Sequence, residues 1–366
     1  MPLPTSPRPS SSAESGCWAP FGAVFGTPTL DRVTPVEALE RIVHCLDRAH
    51  ETGFRTKAFA RALEVVRSVD PTELAERASA GTLTELDGIG DSSAKVIEQA
   101  LAGGEVAYVA ELEARTRVPL SAAGAVYREA LLGDLHLHSR WSDGSATVEA
   151  MARAAIALGH EYLVLTDHSP RLTVAHGLSA ERLAQQLDEI AGLNEQLAPF
   201  RVLTGIEVDI LEDGALDHGD EVLGALDLVV ASVHSKLRMA GKEMTERMVR
   251  AVASPHVDVL GHCTGRMIGK RDPSSFDADE VFAACATFRT AVEINCRPER
   301  LDPPRSLLHK AVEQGCWFTI DSDAHSTGQL EWQPFGCNRA AEVGVPLERV
   351  LNTLPVDALL AWTRGE

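Results

Sequence analysis

The spacing of hydrophobic positions changes partway along the chain. Between Pro35 and about residue 125 they recur at helical intervals. Ala38, Leu39, Ile42, Val43 and Leu46 share one face, and Ala58, Ala62, Val65 and Val66 share another. Gly53, Pro71, Gly81, Gly88, Gly90 and the Gly103-Gly104 pair cut this stretch into short helices. After Gly133 the pattern alternates. Apolar runs rich in Val, Ile and Leu occupy 134–137, 161–165, 201–208, 227–233, 256–260, 291–295 and 316–320. Helix-like stretches such as Ala146–Leu158, Ala180–Gln196 and Thr245–Ala253 separate most of them. Strand-helix alternation predicts βα units and a parallel sheet. Seven strands in this length approach a (β/α) barrel. The expected organisation is a disordered leader over 1–30, rich in Pro and Ser, then an all-α domain over 31–125 and an α/β domain over 131–366.

Composition narrows the function classes. Of 366 residues, 34 are Lys or Arg and 53 are Asp or Glu, a net charge of −19. A protein that coats DNA broadly needs many phosphate-neutralising cations, so that class is excluded. No apolar run is long enough to span a bilayer, and no membrane partner is expected. The seven cysteines (17, 45, 263, 285, 296, 316 and 337) form no CxxC pair and are odd in number, which reads as reduced, buried thiols. With no apolar core after a basic N-terminal stretch, a cytoplasmic location is expected.

The chemistry gathers at the strand ends. Strand one ends in Asp134-Leu135-His136-Leu137-His138, with Asp143 just beyond. Strand two ends in Asp167-His168, strand three in Glu207, strand four in His234 and strand five in His262. Strand six ends in Glu293-Ile294-Asn295, and strand seven in Asp323-Ala324-His325. Barrel enzymes place their sites at this mouth. Residues i and i+2 of a strand share a face, so His136 with His138, and Asp323 with His325, can each grip one side of a site. Six imidazoles and several carboxylates buried together without cations would repel or lack partners. A multinuclear metal cluster resolves both problems. Mixed N and O donors suit Zn, Mn, Fe or Co better than Mg or Ca.

The segments GDLHLHSRWSDG, LVLTDHS, GIEVDILEDGALDHGDEVL, ASVHSKLR, VDVLGHCTGR, VEINCRPERLD and IDSDAHST resemble the motifs of the polymerase and histidinol phosphatase (PHP) family. More narrowly, they resemble the C-terminal PHP domain of bacterial family X DNA polymerases. The resemblance implies a distorted (β/α)7 barrel and three divalent transition metal ions, of Zn, Mn or Fe type. It implies that His136, His138, Glu207 and Asp323 hold the first ion. Glu207 would bridge to a second held by His234 and His262, and Asp143, His168 and His325 would hold the third. Asp167 is expected to orient an imidazole in a catalytic role. Arg266 and Arg300 are expected to pair with substrate phosphate, Arg266 also as a catalytic group. The implied reaction is phosphoester hydrolysis without a protein nucleophile.

The helical segment carries Leu86-Asp87-Gly88-Ile89-Gly90 ahead of a helix from Ser92 to Leu101, which reads as a helix-hairpin-helix. Gly88, Ile89 and Gly90 are its candidate DNA contacts, through N–H groups at a helix N-terminus. Together with the run from Gly53 to Ala62, residues 35–115 resemble the N-terminal domain of family X polymerases. Asp91 and the count over 31–130, 12 Lys or Arg against 17 Asp or Glu, disfavour phosphate binding. The lyase lysine of some relatives falls at Val96, with Lys95 one residue early and so on another face. The intervening nucleotidyltransferase palm has no counterpart, so polymerase activity is not expected. The favoured function is a metal-dependent phosphoesterase at DNA 3′ ends. A small-metabolite phosphatase and a non-catalytic DNA-binding module with a structural metal are the alternatives.

Overall fold

The computed structural model describes residues 33–51 and 53–366. The expected leader and Cys17 lie outside the described residues. The first helix, α1 (Pro35–Arg48), starts at a reciprocal cap: the Thr34 hydroxyl accepts from the Glu37 N–H, and the Glu37 carboxylate accepts from the Thr34 N–H at 2.8 Å. There follow α2 (Phe54–Ser68), α3 (Pro71–Ala80), α4 (Asp91–Leu101), α5 (Ala107–Thr116) and α6 (Ala122–Ala130). The apolar stripes read from the sequence meet in one core. Leu39, Ile42 and Leu46 of α1 pack with Phe59, Ala62 and Val66 of α2 and with Val96 and Ile97 of α4.

Seven parallel strands then run in sheet order β1 to β7: Gly133–Leu137, Tyr162–Leu165, Arg201–Asp209, Leu228–Ser232, Val259–Leu260, Ala291–Asn295 and Phe318–Asp321. Helices α7 (Val148–Ala157), α8 (Ala180–Leu197), α9 (Asp220–Leu223), α10 (Gly241–Val252), α11 (Ala278–Phe288), α12 (Arg305–Glu313), α13 (Gln333–Val343) and α14 (Val356–Thr363) accompany them. Each strand pairs with the next in sequence. First and last strands meet through a single parallel bridge, Leu137 with Ala324, reinforced by the His138 N–H donating to the Ala324 carbonyl at 2.8 Å. The result is the expected seven-stranded α/β barrel, nearly closed, preceded by a helical region. Strand five is much shorter than its apolar run: the Val257 N–H turns back to the Ser254 carbonyl, so ladder pairing starts only at Val259. Among the described residues no helix is long and apolar enough to cross a membrane.

The helical region packs on the barrel through α1. Its partner is the short 3₁₀ segment Thr327–Trp332, just after β7. Trp332 is fully buried and its indole N–H donates to the Arg48 carbonyl at 2.8 Å. Arg48 and His44 both pair with Glu331. A Cβ at Gly328 would sit 2.5 Å from the His44 carbonyl oxygen, so only glycine allows this approach. His50, just past α1, pairs with Glu299 at 2.7 Å in the loop after β6.

Candidate metal centre

The pleat decides which side chains reach the barrel mouth. His136 and His138 project together from the end of β1, and Glu207 and Asp209 from the end of β3. Asp323 follows β7 with φ 53°, a left-handed conformation uncommon outside glycine, in which its N–H donates to the His136 carbonyl at 2.9 Å. The seam between first and last strands is thus built into the site.

All nine side chains singled out as ligands come together. Glu207, almost fully buried, is the hub. Its Oε2 lies 3.4 Å from His136 Nε2, 3.6 Å from His138 Nε2 and 2.9 Å from His168 Nδ1. Its Oε1 lies 3.3 Å from His234 Nε2 and 2.8 Å from His262 Nε2. His138 Nε2 is 3.5 Å from Asp323 Oδ1, and His325 Nε2 and His168 Nε2 are 3.4 and 3.6 Å from Asp143 Oδ1. Three groups of donor atoms are close enough to share an ion: His138, Asp143, His168 and His325; His136, His138 and Asp323; and His168, Glu207 and His234. Asp143, His234 and His325 are the more open members, so solvent reaches the cluster from their side.

These atoms crowd together, yet well-directed hydrogen bonds are missing for many of them. His138 Nδ1, His168 Nδ1, both Glu207 oxygens, His234 Nε2 and His262 Nδ1 are buried and have no protein hydrogen-bond partner. His138 Nε2 and His136 Nε2 stand 3.3 Å apart. Buried polar atoms left this way cost free energy, which cations among them would offset. The donor set fits divalent ions.

Surrounding groups select the tautomers. His136 Nδ1 bonds the Glu293 carboxylate at 2.6 Å, His234 Nδ1 bonds Asp209, and His325 Nδ1 bonds the Asp323 carbonyl at 2.9 Å. In each ring this contact holds Nδ1 away and turns Nε2 toward the cluster. Burial, and then the neighbouring His325 and His168, push His138 down to about 3, so its ring is neutral. Burial and Arg300 push His262 down to about 4. Burial alone would lower His234, but Glu207 and Asp209 outweigh it and raise the ring to about 9. Burial would raise Glu207, yet His234, His136 and His168 hold it well below the carboxylate range.

Other expected contributors sit differently. Asp167 touches no imidazole. Its oxygens accept from Ser139 N–H at 2.8 Å, Ser139 Oγ at 2.7 Å, the Ser142 N–H and hydroxyl, and Gln186 Nε2 at 2.6 Å. It shapes the loop that delivers Asp143, because those donors lie nearer than any ring. Arg266 spends its guanidinium on the Arg300 carbonyl at 2.7 Å and on the Leu301 carbonyl, bracing the loop after β6 rather than facing the donors. Arg300 does reach the cluster, with Nε 3.2 Å from Asp323 Oδ2. Glu293, Asp209, Asn295 and Arg297 join the site beyond the expected residues. Asn295 Nδ2 bonds Asp323 Oδ2 at 3.1 Å, and Arg297 Nη1 lies 3.3 Å from His325 Nδ1. The i, i+2 rule that links Glu207 to Asp209 and Glu293 to Asn295 was the available signal.

The hairpin is largely committed internally. Ile89 is buried in the helical core and its N–H donates to the Leu86 carbonyl at 3.0 Å. The Gly90 N–H donates to Ser93 Oγ at 3.0 Å. Gly88 has φ +98° and packs against Arg61, which pairs with Asp87 at 3.2 Å. Val96 is buried and Lys95 exposed, as the helical offset required. Cys263 is also buried, its thiol pushed well up by burial and Asp302, which leaves no thiolate for nucleophilic chemistry.

A nearly closed parallel barrel whose strand ends converge nine imidazole and carboxylate side chains forms a candidate metal centre. Residues 134–295 match the family model of the PHP domain, and residues 33–106 match that of a helix-hairpin-helix domain. The barrel segment is thus similar to a PHP domain and the helical segment before it to a helix-hairpin-helix domain. It is 43% identical over 220 residues to the DNA polymerase/3′-5′ exonuclease PolX of Bacillus subtilis, covering 60% of this chain and 39% of that one. A probable phosphatase of Thermoanaerobacter is 28% identical over 235 residues, covering 61% of this chain and 91% of its own length. Among solved structures, a histidinol phosphate phosphatase from Lactococcus lactis, complexed with zinc, L-histidinol and phosphate, superimposes with TM-score 0.44 at 19% identity, covering 58% of this chain and 93% of its own.

Proposed function

We propose that the nine donors hold three divalent ions and that the protein hydrolyses phosphoester linkages at DNA 3′ ends. The observation that carries ligation is the convergence of buried donor atoms that lack protein hydrogen-bond partners. Glu207 would be shared between ions because its two oxygens face different imidazoles. When bound, such ions acidify water and offset charge on phosphoryl oxygens. The chain's own groups do the rest. Glu293, Asp209 and the Asp323 carbonyl hold three imidazoles in the tautomer that presents Nε2. Arg300 and Arg297 bring positive charge to the edge of the cluster beside Asp323. DNA as substrate is supported by the helix-hairpin-helix match and by likeness to a polymerase and exonuclease of which only 39% is covered.

A second reading has its own support. The barrel segment aligns with 91% of a probable phosphatase, and the hairpin has spent the Ile89 and Gly90 N–H groups internally. Hydrolysis of a small phosphate ester needs nothing outside the barrel. The experiment that separates the two is a substrate panel on Mn²⁺-reconstituted protein: single-stranded DNA, DNA ending in a 3′-phosphate, and histidinol phosphate. The DNA reading expects nucleotide or phosphate release from DNA at the higher kcat/KM. Preference for histidinol phosphate with inert DNA overturns it.

A further inference from the structure

An open cleft of about 440 Å³ is lined by Arg238, Arg266, Lys270 and Arg271, with Asp272 as its single acid. It is within the size range of ligand pockets. Its floor is a tight hairpin in which Met267 and Arg271 exchange backbone hydrogen bonds of 2.9 and 2.8 Å. The hairpin is tied to the loop after β6, since the Ile268 N–H donates to the Glu299 carbonyl at 2.6 Å and Arg266 bonds the Arg300 carbonyl. Both loops reach the cluster, one beginning at His262 and the other placing Arg300 on Asp323.

Arg266 and Arg271 are held by backbone carbonyls, Arg271 Nε donating to Gly265 at 2.7 Å, and neither contact neutralises their charge. Among the described residues, none of the four cations pairs with a carboxylate, in a chain whose net charge is −19. Arg238, Lys270 and Arg271 are exposed. Partial burial, with Arg300 adding to it and Asp302 opposing it, lowers Arg271. Like charges gathered on one cleft are unfavourable unless an anion offsets them. The phosphoryl group under attack would be neutralised by ions in the cluster, so the cleft cations are surplus to a lone phosphate monoester. They suit an anion that continues past the reacting group. No aromatic side chain lines the cleft, so bases would not be held by stacking, and binding would be read through phosphates alone.

We propose that the cleft is a polyanion subsite that takes the phosphodiesters following the reacting linkage along a single nucleic-acid strand. The inference rests on the DNA reading above and places strand binding on the barrel rather than on the glycine hairpin. The test uses full-length Mn²⁺-loaded protein and a labelled, hydrolysis-resistant phosphorothioate oligothymidylate, with affinity read by fluorescence anisotropy across a salt series. The R238E/K270E variant changes two exposed side chains that brace no element. It should weaken binding at least about tenfold and reduce the log–log salt slope by about 1.4, at roughly 0.7 per single-strand phosphate. The charge-conserving R238K/K270R variant should restore both. The ratio of oligonucleotide to thymidine p-nitrophenyl phosphodiester kcat/KM should fall with the affinity. Equal affinity and slope in the reversed and native proteins overturn the subsite even if DNA is hydrolysed. Cleft-dependent binding of a strand that is never hydrolysed upholds the subsite and overturns the DNA-hydrolysis reading instead.

Discussion

Glu207 and the groups behind the imidazoles make the sharpest residue-level predictions. Glu207→Gln keeps the shape and removes the charge that faces five rings, so elemental analysis should show loss of bound metal and hydrolysis should cease. Retained stoichiometry with full, chelator-resistant turnover would refute a shared carboxylate. Asp209 touches the cluster only through His234 Nδ1. Asp209→Asn should lower metal affinity by about 10–100-fold, as for other groups that orient a ligating imidazole. A metal titration followed by calorimetry reads this directly, and an unchanged affinity would leave the His234 tautomer unconstrained. Away from the site, burial raises Asp258 to about 7 although it accepts the Val229 N–H at 2.8 Å. A raised acid binds its proton more tightly in the folded state, so its contribution falls as pH climbs from the ordinary carboxylate range through about 7. Asp258→Asn should therefore gain melting temperature relative to native protein as pH rises from acid to neutral, with both proteins metal-free. A constant difference across pH would show that the carboxyl is not protonated in the fold.

At the scale of elements, α1 and the 3₁₀ segment after β7 form a joint that also reaches the chemistry. His50 pairs with Glu299, Glu299 with Arg297 at 3.2 Å, and Arg297 with Asp323 at 3.6 Å. Burial would raise Glu299, but His50 and Arg297 hold it down to about 2. Glu299→Gln should free Arg297 and lower kcat on a small aryl phosphate several-fold with little change in melting temperature. Equal kcat would mean that the helical region does not reach the site through this route. Gly328→Val tests the joint itself. The new side chain meets the His44 carbonyl and the Arg48 N–H, so stability should fall by about 1–3 kcal/mol, the usual cost of overpacking. Thermal melts at fixed metal loading would show it, and an unchanged melting temperature would mean that α1 docks loosely.

For the whole molecule, the relation between helical region and barrel carries the remaining weight. Removing residues 1–125 would bare Trp332 and leave Glu331 without Arg48 and His44. The barrel's stability should drop on truncation even though every proposed donor stays in place. The matches to the two domain families end and begin at 106 and 134, and the intervening segment is occupied by α5, α6 and their links.

Much was already legible in local pattern. The alternation of apolar runs with helix-like stretches determined seven strands, because side-chain period follows directly from backbone geometry. The HxH and DxH pairs identified donors for the same reason, since two residues along a strand must share a face. Helical phase likewise put Val96 inside and Lys95 outside. What pattern could not decide was which partners the polar groups would find. Asp167 stands next to His168 in sequence, yet its oxygens turn to Ser139, Ser142 and Gln186. Arg266 turns to two carbonyls, and Ile89 enters the helical core. Hydrogen bonds are short and directional, so a polar side chain's role depends on atoms brought near it by distant segments. The lining of the basic cleft and the His50–Glu299–Arg297 contacts join residues from separate parts of the chain. Only closure of the barrel and docking of α1 bring them together.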